Sequence, residues 1–287
     1  MRINRSVIVD DFRKLGIVEG DFLFITADLL RVGYFNKDRV TTEADWVEIL
    51  RTVVGDGGDV IAACYSDSFL KFKVKKELEF NETTITTSGA LSRILLEYHG
   101  SFRSSHPTNS YVGFGSRARE VLLDHDHTKG SYQVVEDILQ HGAKNLLIGT
   151  IDKKNAPMAF HQVLHNLGYN YKHPFAGLGQ VYHYVDGRRE LFTRYDVGGC
   201  SGGSYQLLPE LLNLSKTKLG DIGKAKTLVL DGVQAHDKLS SILSEKEYVA
   251  RCQDSKCISC HGRFDNPLFL KSYILNAPKI FSYLYRR

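Results

Sequence analysis

The sequence predicts an α/β fold in one large domain, and three observations support this. Strand-like apolar runs alternate with amphipathic, helix-like segments as far as about residue 170, which is typical of a sheet covered by helices. At 287 residues the chain is long enough to bury a large core. No repeat, low-complexity tract or linker divides it. We therefore expect one folded unit over residues 1–250, followed by a Cys-containing, aromatic and basic extension over 251–287.

The first elements alternate as this fold requires. After a short helix over 7–15, the apolar run FLFITADLLRVG (22–33) ends in a polar loop, which favours a buried strand that opens on a site. Thr42, with Asp45 three residues later, has the spacing of a capping box and precedes apolar residues at helical intervals. A second buried strand is predicted over 59–66, and the polar residues 68–88 indicate a long functional loop.

The later elements continue this alternation and then change. Helices are predicted over 88–100, 116–125 and 158–168, and strands over 110–116 and 143–150. Two β-rich runs that meet at Asp186-Gly187 then predict a hairpin. A helix, a strand and a final helix are expected over 205–243.

Composition excludes several classes of function. The formal net charge is only +4 and acidic residues alternate with basic ones, so no nucleic-acid groove is implied. The N-terminus lacks the apolar segment of a signal peptide, and no later run approaches the roughly 18 apolar residues that span a bilayer. We expect a cytoplasmic protein.

The stretch FRSSHPTNSYVGFG (102–115) is the first candidate site. His106-Pro107 alone would suggest a simple turn. The surrounding donors suit an anionic or carbonyl-bearing ligand instead, and the two following glycines permit close backbone approach. We favour this functional interpretation for Arg103, Ser104, Ser105, His106, Thr108 and Ser110.

His161 and His165 lie four residues apart, and therefore on one face of the predicted helix. Zinc is not expected there, because Gln162 replaces the glutamate of the HExxH pattern and no third ligand is evident. His161 alone, in the first helical turn after a strand and its loop, is placed to act as a general base. A partly buried histidine without a function is the alternative.

Five cysteines suggest a second site. Cys64 and Cys200 stand alone, and GCSGGS (199–204) matches no phosphate-binding or nucleophile motif, so we interpret it as a flexible, substrate-gating loop. Cys252, Cys257, Cys260 and His261 have the spacing of a zinc or iron–sulfur knuckle. Adjacent Cys260 and His261 rarely both bind one ion, which favours an alternative without metal. Haem attachment at CISCH requires export, of which the sequence shows no signal.

The C-terminal stretch NPLFLKSYILNAPKIFSYLYRR interleaves aromatic residues with Lys271, Lys279, Arg286 and Arg287. Such a segment suits an anionic membrane surface. Packing on its own domain or completing a homodimer is the more common arrangement, and we favour it.

Together these segments resemble the aminoglycoside 3-N-acetyltransferase family. The resemblance rests on GDFLFITADLLRVG, on GALSRILLEYHG leading into RSSHPTNS, on the strand KNLLIG, on His161 in the following helix, and on LGDIGKAK. It implies a single α/β domain with a mixed central sheet, flanking helices and a β-hairpin insertion. It also implies that residues 1–250 are an acyltransferase domain that uses acetyl-CoA, with no covalent intermediate on the enzyme.

Three positions depart from the family pattern. Thr26-Ala27-Asp28 replaces His-Ser-Ser, Leu164 replaces the glutamate expected to orient the helix histidine, and Arg93 replaces another glutamate. Arginine would repel a polycationic drug, so Arg93 turns the expected acceptor towards an amino sugar. A nucleotide-linked sugar used for surface polysaccharide is our first hypothesis.

The resemblance then implies roles for single residues. His161 is expected to be the base that deprotonates the acceptor amine, and His106 to orient the loop or share the proton relay. Cofactor contacts are expected from Thr26, Asp28, Arg103, Ser104, Ser105 and Ser110, and acceptor contacts from Asp67 and Arg93. An aminoglycoside acceptor is the alternative, and a CoA- or metal-binding protein without catalysis is a second one.

Overall fold

A seven-stranded mixed sheet forms the centre of the computed structural model, which describes residues 3–34, 39–72, 77–152 and 155–264 together with 274, 277 and 278. The strands of this sheet, in chain order, are β1 (Phe22–Ala27), β2 (Asp59–Ala63), β4 (Phe102–Arg103), β5 (Tyr111–Phe114), β6 (Lys144–Ile148), β9 (Lys218–Ile222) and β10 (Ala225–Asp231). The spatial order is β4-β5-β2-β1-β6-β10-β9. The mixed central sheet is therefore confirmed.

Parallel pairing is confined to the middle of the sheet. β1 is parallel to β2 and to β6, whereas the outer pairs β2–β5, β4–β5, β6–β10 and β9–β10 are antiparallel. The carboxyl ends of β1, β2 and β6 consequently meet at one edge of the sheet. Ligand sites in open α/β sheets form at such an edge.

Helices cover both faces of this sheet. They are α1 (Arg5–Lys14), α2 (Leu29–Val32), α3 (Arg39–Val54), α4 (Ala90–Glu97), α5 (Ser116–Asp124), α6 (Gln133–Gln140), α7 (Met158–Asn166), α8 (Leu208–Leu212), α9 (Gly232–Glu245) and α10 (Ile258–Phe264), with 3₁₀ turns at Ser201–Leu207 and Glu247–Ala250. Successive residues of β1 point into different cores: Leu23 and Ile25 contact one cluster, and Phe22 and Phe24 contact another. Burial on both faces explains the continuous apolar run.

The predicted hairpin is part of a second sheet. β7 (Gly179–Val185) and β8 (Arg188–Arg194) pair antiparallel around Asp186-Gly187, where both residues have positive φ. β3 (Phe69–Leu70) adds a third strand from within the predicted loop 68–88. That segment is therefore partly β structure, because its backbone groups bond to β7.

Several element boundaries differ from the sequence prediction. α3 begins at Arg39, so Thr42 lies inside the helix and does not cap it. The helix expected from residue 205 is divided into a 3₁₀ turn and the short α8, and residues from Lys218 form β9. α6 and β4 were not predicted from the sequence.

The C-terminal prediction falls largely outside the described residues. Lys271, Lys279, Arg286 and Arg287 are not among them. The homodimer and the membrane contact therefore stay predictions. In the part of the chain that the structure describes, we find no helix whose length and hydropathy would suit it to crossing a bilayer.

Candidate active site

The edge at which the parallel strands end carries a cleft of about 480 Å³. Its walls include Asp28 after β1, Ala90 at the start of α4, and Gly149, Thr150 and Asn155 after β6. Asp28 also caps α2, because its carboxylate accepts a hydrogen bond from the Leu30 amide at 3.2 Å. Thr26 lies at the end of β1, where its carbonyl accepts from the Thr150 hydroxyl at 3.3 Å. The expected positions 26 and 28 thus lie at or beside this cleft.

Carboxylates outnumber cations around the cleft. Asp28, Glu43 and Asp152 line the cleft together with Arg31. The Arg31 guanidinium lies 3.1 Å from the Asp28 carboxylate and 3.6 Å from that of Asp152. Arg31 also donates to the Gly149 carbonyl at 2.7 Å. The residual charge of this set favours a cationic ligand over an anionic one.

Arg93 does not act as an isolated positive charge. Its guanidinium donates to the Glu43 carboxylate at 2.6 Å, and Glu43 lies between the cleft and a neighbouring cavity of about 580 Å³ that Arg93 lines. Arg93 would therefore repel a polycation only weakly, because the Glu43 carboxylate neutralises its charge. Asp67, the other expected acceptor contact, is exposed on the loop between β2 and β3.

His161 lies in the first turn of α7, close to the segment that follows β8. Its Nε2 is 3.1 Å from the Ser201 hydroxyl, and its ring stacks on Tyr132 at 5.7 Å between centroids. Its Nδ1 is buried and has no hydrogen-bond partner among the described residues. Leu164, one helical turn further on, is buried in the apolar core, so Ser201 is the side chain that contacts the imidazole here.

The segment that carries Ser201 also contacts the wall of the cleft. The Ser204 hydroxyl contacts the Ser201 carbonyl at 2.7 Å and the carbonyl of Asn155, a residue of the cleft wall, at 3.3 Å. Burial lowers the pKa of His161 to about 4, helped by the positive charge of Arg263. The imidazole is therefore neutral at pH 7, with a free lone pair but a lower basicity than an exposed histidine.

Arg103 is buried at the centre of its own set of hydrogen bonds. It donates to the Ser110 hydroxyl, the Cys64 carbonyl and the Ser66 hydroxyl, each at 3.0 Å, and to the carbonyls of Glu82 and Thr84. All three guanidinium nitrogens are thus engaged by protein acceptors. This arrangement ties β4 to the 82–84 segment.

The other residues of this loop are placed differently from one another. The Ser104 hydroxyl accepts from the Tyr111 amide at 2.9 Å and contacts His125 Nδ1 at 3.1 Å. The Ser110 hydroxyl donates to the Cys64 carbonyl at 2.5 Å. Ser105 is exposed and lines a cavity of about 440 Å³ beside Tyr184 of β7. Of these three serines, Ser105 is the one with a cavity in front of it.

His106 is fully buried, and its Nδ1 accepts the Asn109 amide at 3.0 Å. Its ring stacks on His125 with 4.9 Å between centroids and 9° between planes. Its Nε2 is buried without a partner among the described residues. Burial, with the nearby His125, holds the pKa of His106 well below its usual range. His106 therefore orients the turn through Nδ1 as a neutral ring.

Buried neutral histidines make stability dependent on pH. Burial lowers the pKa of His125 to about 4 and that of His173 to about 3, as it does for His161. In the unfolded chain these rings take up protons near pH 6.5, so the folded state binds fewer protons below that pH and loses stability. We expect the free energy of unfolding, measured by urea denaturation, to fall steadily from pH 6.5 to pH 4, by up to about 1.4 kcal/mol per pH unit for each ring, and to change little above pH 7 on their account.

The control for this prediction is a pair of matched variants. His173→Gln should flatten the dependence of the urea midpoint on pH, whereas His99→Gln, which replaces an exposed histidine, should leave it unchanged. A midpoint that is constant between pH 7 and pH 4.5 would contradict the assignment of these rings as buried and neutral.

The structure corrects the interpretation of Cys200 as solitary. Its sulfur lies with those of Cys252, Cys257 and Cys260, and all four are within 4.8 Å of one another. The side chain of His261 lies outside the described residues. The segment GCSGGS (199–204) therefore contributes one cysteine to a cluster of four. Its last four residues begin the 3₁₀ turn Ser201–Leu207. Cys64 is buried elsewhere, between Arg103 and Ser110.

The mixed sheet, with a cleft at its parallel strand ends and a histidine in the helix after β6, defines the class of fold that the resemblance implies. A family model described as aminoglycoside 3-N-acetyltransferase matches residues 24–244. The chain belongs to this family.

Known proteins agree with this assignment. Aminoglycoside N(3)-acetyltransferase III of Salmonella sp is 30% identical over 161 residues, which are 50% of this chain and 55% of that protein. The chain thus spans about half the length of the curated relatives it matches. Two solved structures share its fold, each with a TM-score of 0.69 and 19% identity over 86% of this chain: AAC-IIIb binary with CoASH, matched over 98% of its length, and AAC-VIa bound to sisomicin, over 99%.

Ser201 and Cys200 are the residues that sequence reasoning missed. Neither belongs to a recognisable motif. Ser201 lies 40 residues from His161 in the chain, and Cys200 lies at least 52 residues from the other cysteines of its cluster. One signal was present: a cysteine among glycines, as in a turn that binds metal, in a chain with three further cysteines at C-x4-C-x2-C.

Proposed function

We propose that the protein transfers an acetyl group from acetyl-CoA to an amine of an aminoglycoside-type amino sugar, with His161 as general base. The observation that carries this proposal is that His161, the position matching the family's helix histidine, is neutral, with one ring nitrogen on Ser201 and the other without a partner among the described residues. Family membership over residues 24–244 supports the reaction type.

The chemistry follows from what an amine needs. A sugar ammonium must lose a proton before its nitrogen can attack the thioester carbonyl, and a neutral imidazole accepts that proton. Attack then forms the C–N bond and a tetrahedral intermediate with an oxyanion and a positively charged nitrogen. As this intermediate collapses, the C–S bond breaks and the nitrogen's second proton passes to the departing sulfur, so CoA leaves as the thiol and the product is a neutral amide. The base releases the first proton to solvent.

Charge favours the aminoglycoside over the nucleotide-linked sugar of our first hypothesis. Of the three cleft carboxylates, Glu43 is paired with Arg93, and Arg31 offsets only one of the other two, so the site attracts ammonium groups. The names of the relatives also match the aminoglycoside. Nothing in the described residues supports a role in surface polysaccharide. We propose that Thr26 and Asp28 contact the uncharged pantetheine arm of acetyl-CoA, with its phosphates outside this cleft, and that the two substrates meet at the Asn155 end of the cleft.

An assay of thiol release from acetyl-CoA with a panel of amines tests this function. We expect sisomicin to be acetylated at least tenfold more efficiently than glucosamine or UDP-glucosamine, which is about 1.4 kcal/mol in transition-state binding. Preference for the nucleotide sugar would overturn the acceptor assignment. Calorimetric binding of CoA without thiol release from any amine would instead establish the alternative of a binding protein that has lost catalysis.

A further inference from the structure

We propose that Cys200, Cys252, Cys257 and Cys260 bind one zinc ion as a tetrathiolate, and that this ion holds Ser201 against His161. The proposal has two parts, a metal site and its effect on the position of the neighbouring serine. The metal site does not depend on the proposed acetyl transfer. The positioning of Ser201 can be measured without any enzymatic assay.

The spacing of the sulfur atoms fits a single tetrahedral ion. Zinc–thiolate bonds of about 2.3 Å at tetrahedral angles place four sulfurs about 3.8 Å from one another. In the described structure all four lie within 4.8 Å of one another, and each cysteine is a free thiol. Closure by the sulfurs onto one ion would need shifts of at most about 1 Å.

Local backbone geometry presents these sulfurs together. Cys257 and Cys260 have the C-x2-C spacing at the start of α10, and the Cys252 amide donates to the Cys260 sulfur at 3.4 Å. The Gly202 amide donates to the Cys200 sulfur at 3.2 Å. Amide donors to sulfur stabilise thiolates and orient metal ligands. Zinc would displace the four thiol protons as it binds.

Arg263 supplies a compensating charge. A tetrathiolate zinc site carries a net charge of −2, which is unfavourable in a buried place unless a cation is near. The Arg263 side chain is buried, follows Cys260 by three residues in α10, and donates to the Val197 carbonyl at 2.7 Å and to Asn170 at 3.0 Å. It crosses directly over Gly199, where even a methyl group would collide with its guanidinium.

The same contacts place Ser201. Gly203 approaches the Ala250 carbonyl so closely that a methyl group there would overlap with it. The segment 199–204 thus packs closely against residues 250–263. Ser201 directly follows Cys200 in the chain, and its hydroxyl lies 3.1 Å from His161 Nε2. Cys200 and Ser201 are therefore positioning residues, and the ion fixes the first of them.

Metal analysis of the full chain, purified without an immobilised-metal column, tests the site. We expect one zinc per chain, and loss of most of it in Cys257→Ser. Cys200→His should retain the metal, because Cys3His is also a zinc ligand set, and Cys64→Ser is the matched control that should keep one equivalent. Replacement by Co²⁺ should give the visible absorption of tetrahedral cobalt thiolate. Zinc-free native protein, a disulfide among these cysteines, or bound iron in place of zinc would overturn the site.

Amide hydrogen exchange tests the positioning of Ser201. Removal of zinc with a chelator should speed exchange in residues 199–207 by roughly tenfold or more, as a locally anchored segment opens, and added zinc should restore protection. The Cys64→Ser protein should respond in the same way as wild type, and peptides from β1 and β6 should not change. Unchanged exchange over 199–207 on loss of zinc would leave the metal site intact and overturn its role at His161.

Discussion

His161→Ala is expected to lower the rate constant for acetyl transfer by about 10²- to 10⁴-fold, the usual contribution of a positioned general base. The neutral imidazole touches Ser201 through one nitrogen and leaves the other without a partner among the described residues. Its removal leaves the amine protonated with nothing to accept the proton. Rapid-mixing or steady-state thiol release with the preferred amine measures the loss.

Two controls separate this role from a general effect on the fold. CoA affinity should change by less than about threefold in His161→Ala, because the base acts on the amine. His165→Ala removes the other histidine of the same helix, 4.0 Å from Asp196, and should retain most of the activity. A His161→Ala protein that is folded, binds CoA and works at near wild-type rate would refute the assignment of the base.

Arg103→Ala is expected to destabilise the protein by about 3 kcal/mol or more, because hydrogen bonds to a charged group contribute about 1.5–3 kcal/mol each. The change removes one of the two donors to the buried carbonyl of Cys64, the other being the Ser110 hydroxyl, and removes the guanidinium donors to the hydroxyls of Ser66 and Ser110. Arg103→Lys should restore only part of the stability, since an ammonium has three donors on one nitrogen, whereas the planar guanidinium has five spread over three nitrogens. Urea denaturation at pH 7.5 measures both.

The Arg103→Ala variant also tests the expectation that Arg103 contacts the cofactor. If the side chain acts through the fold, stability falls and the CoA affinity of the remaining folded protein stays close to wild type. The matched control is Arg119→Ala, which removes an exposed arginine that stacks on Phe102 at 5.0 Å and should cost less than about 0.5 kcal/mol. Full stability with lost CoA affinity would establish the ligand role instead.

Much of the central fold was predictable because its signals are local. Phe22–Ala27 and Lys144–Ile148 are apolar runs buried on both faces, and the turn at Asp186-Gly187 needs the positive φ that these residues tolerate. The start of α3 was not predictable, because Thr42 and Asp45 have the spacing of a capping box although both lie within the helix. Strand pairing of Phe69–Leu70 was hidden because only the partner strand β7 stabilises it.

The site was predictable only in part, for the same reason. His161 follows a strand and loop, so its position near the sheet edge could be inferred from the chain. The ion pair of Arg93 could not be inferred, because its partner Glu43 lies 50 residues earlier and no local pattern reveals it. Ser201 and Cys200 likewise acquire their neighbours only when the 199–204 segment folds against α7 and α10.

The place of β6 in the sheet has a consequence for biosynthesis. This strand pairs on one side with β1, more than a hundred residues earlier, and on the other with β10, about eighty residues later. A nascent chain that has emerged only to residue 224 therefore presents β6 as a bare apolar edge, the kind of surface that recruits other chains. Ribosome-bound chains whose emerged part ends before β10 should consequently require a chaperone, and those whose emerged part extends beyond Asp231 should not.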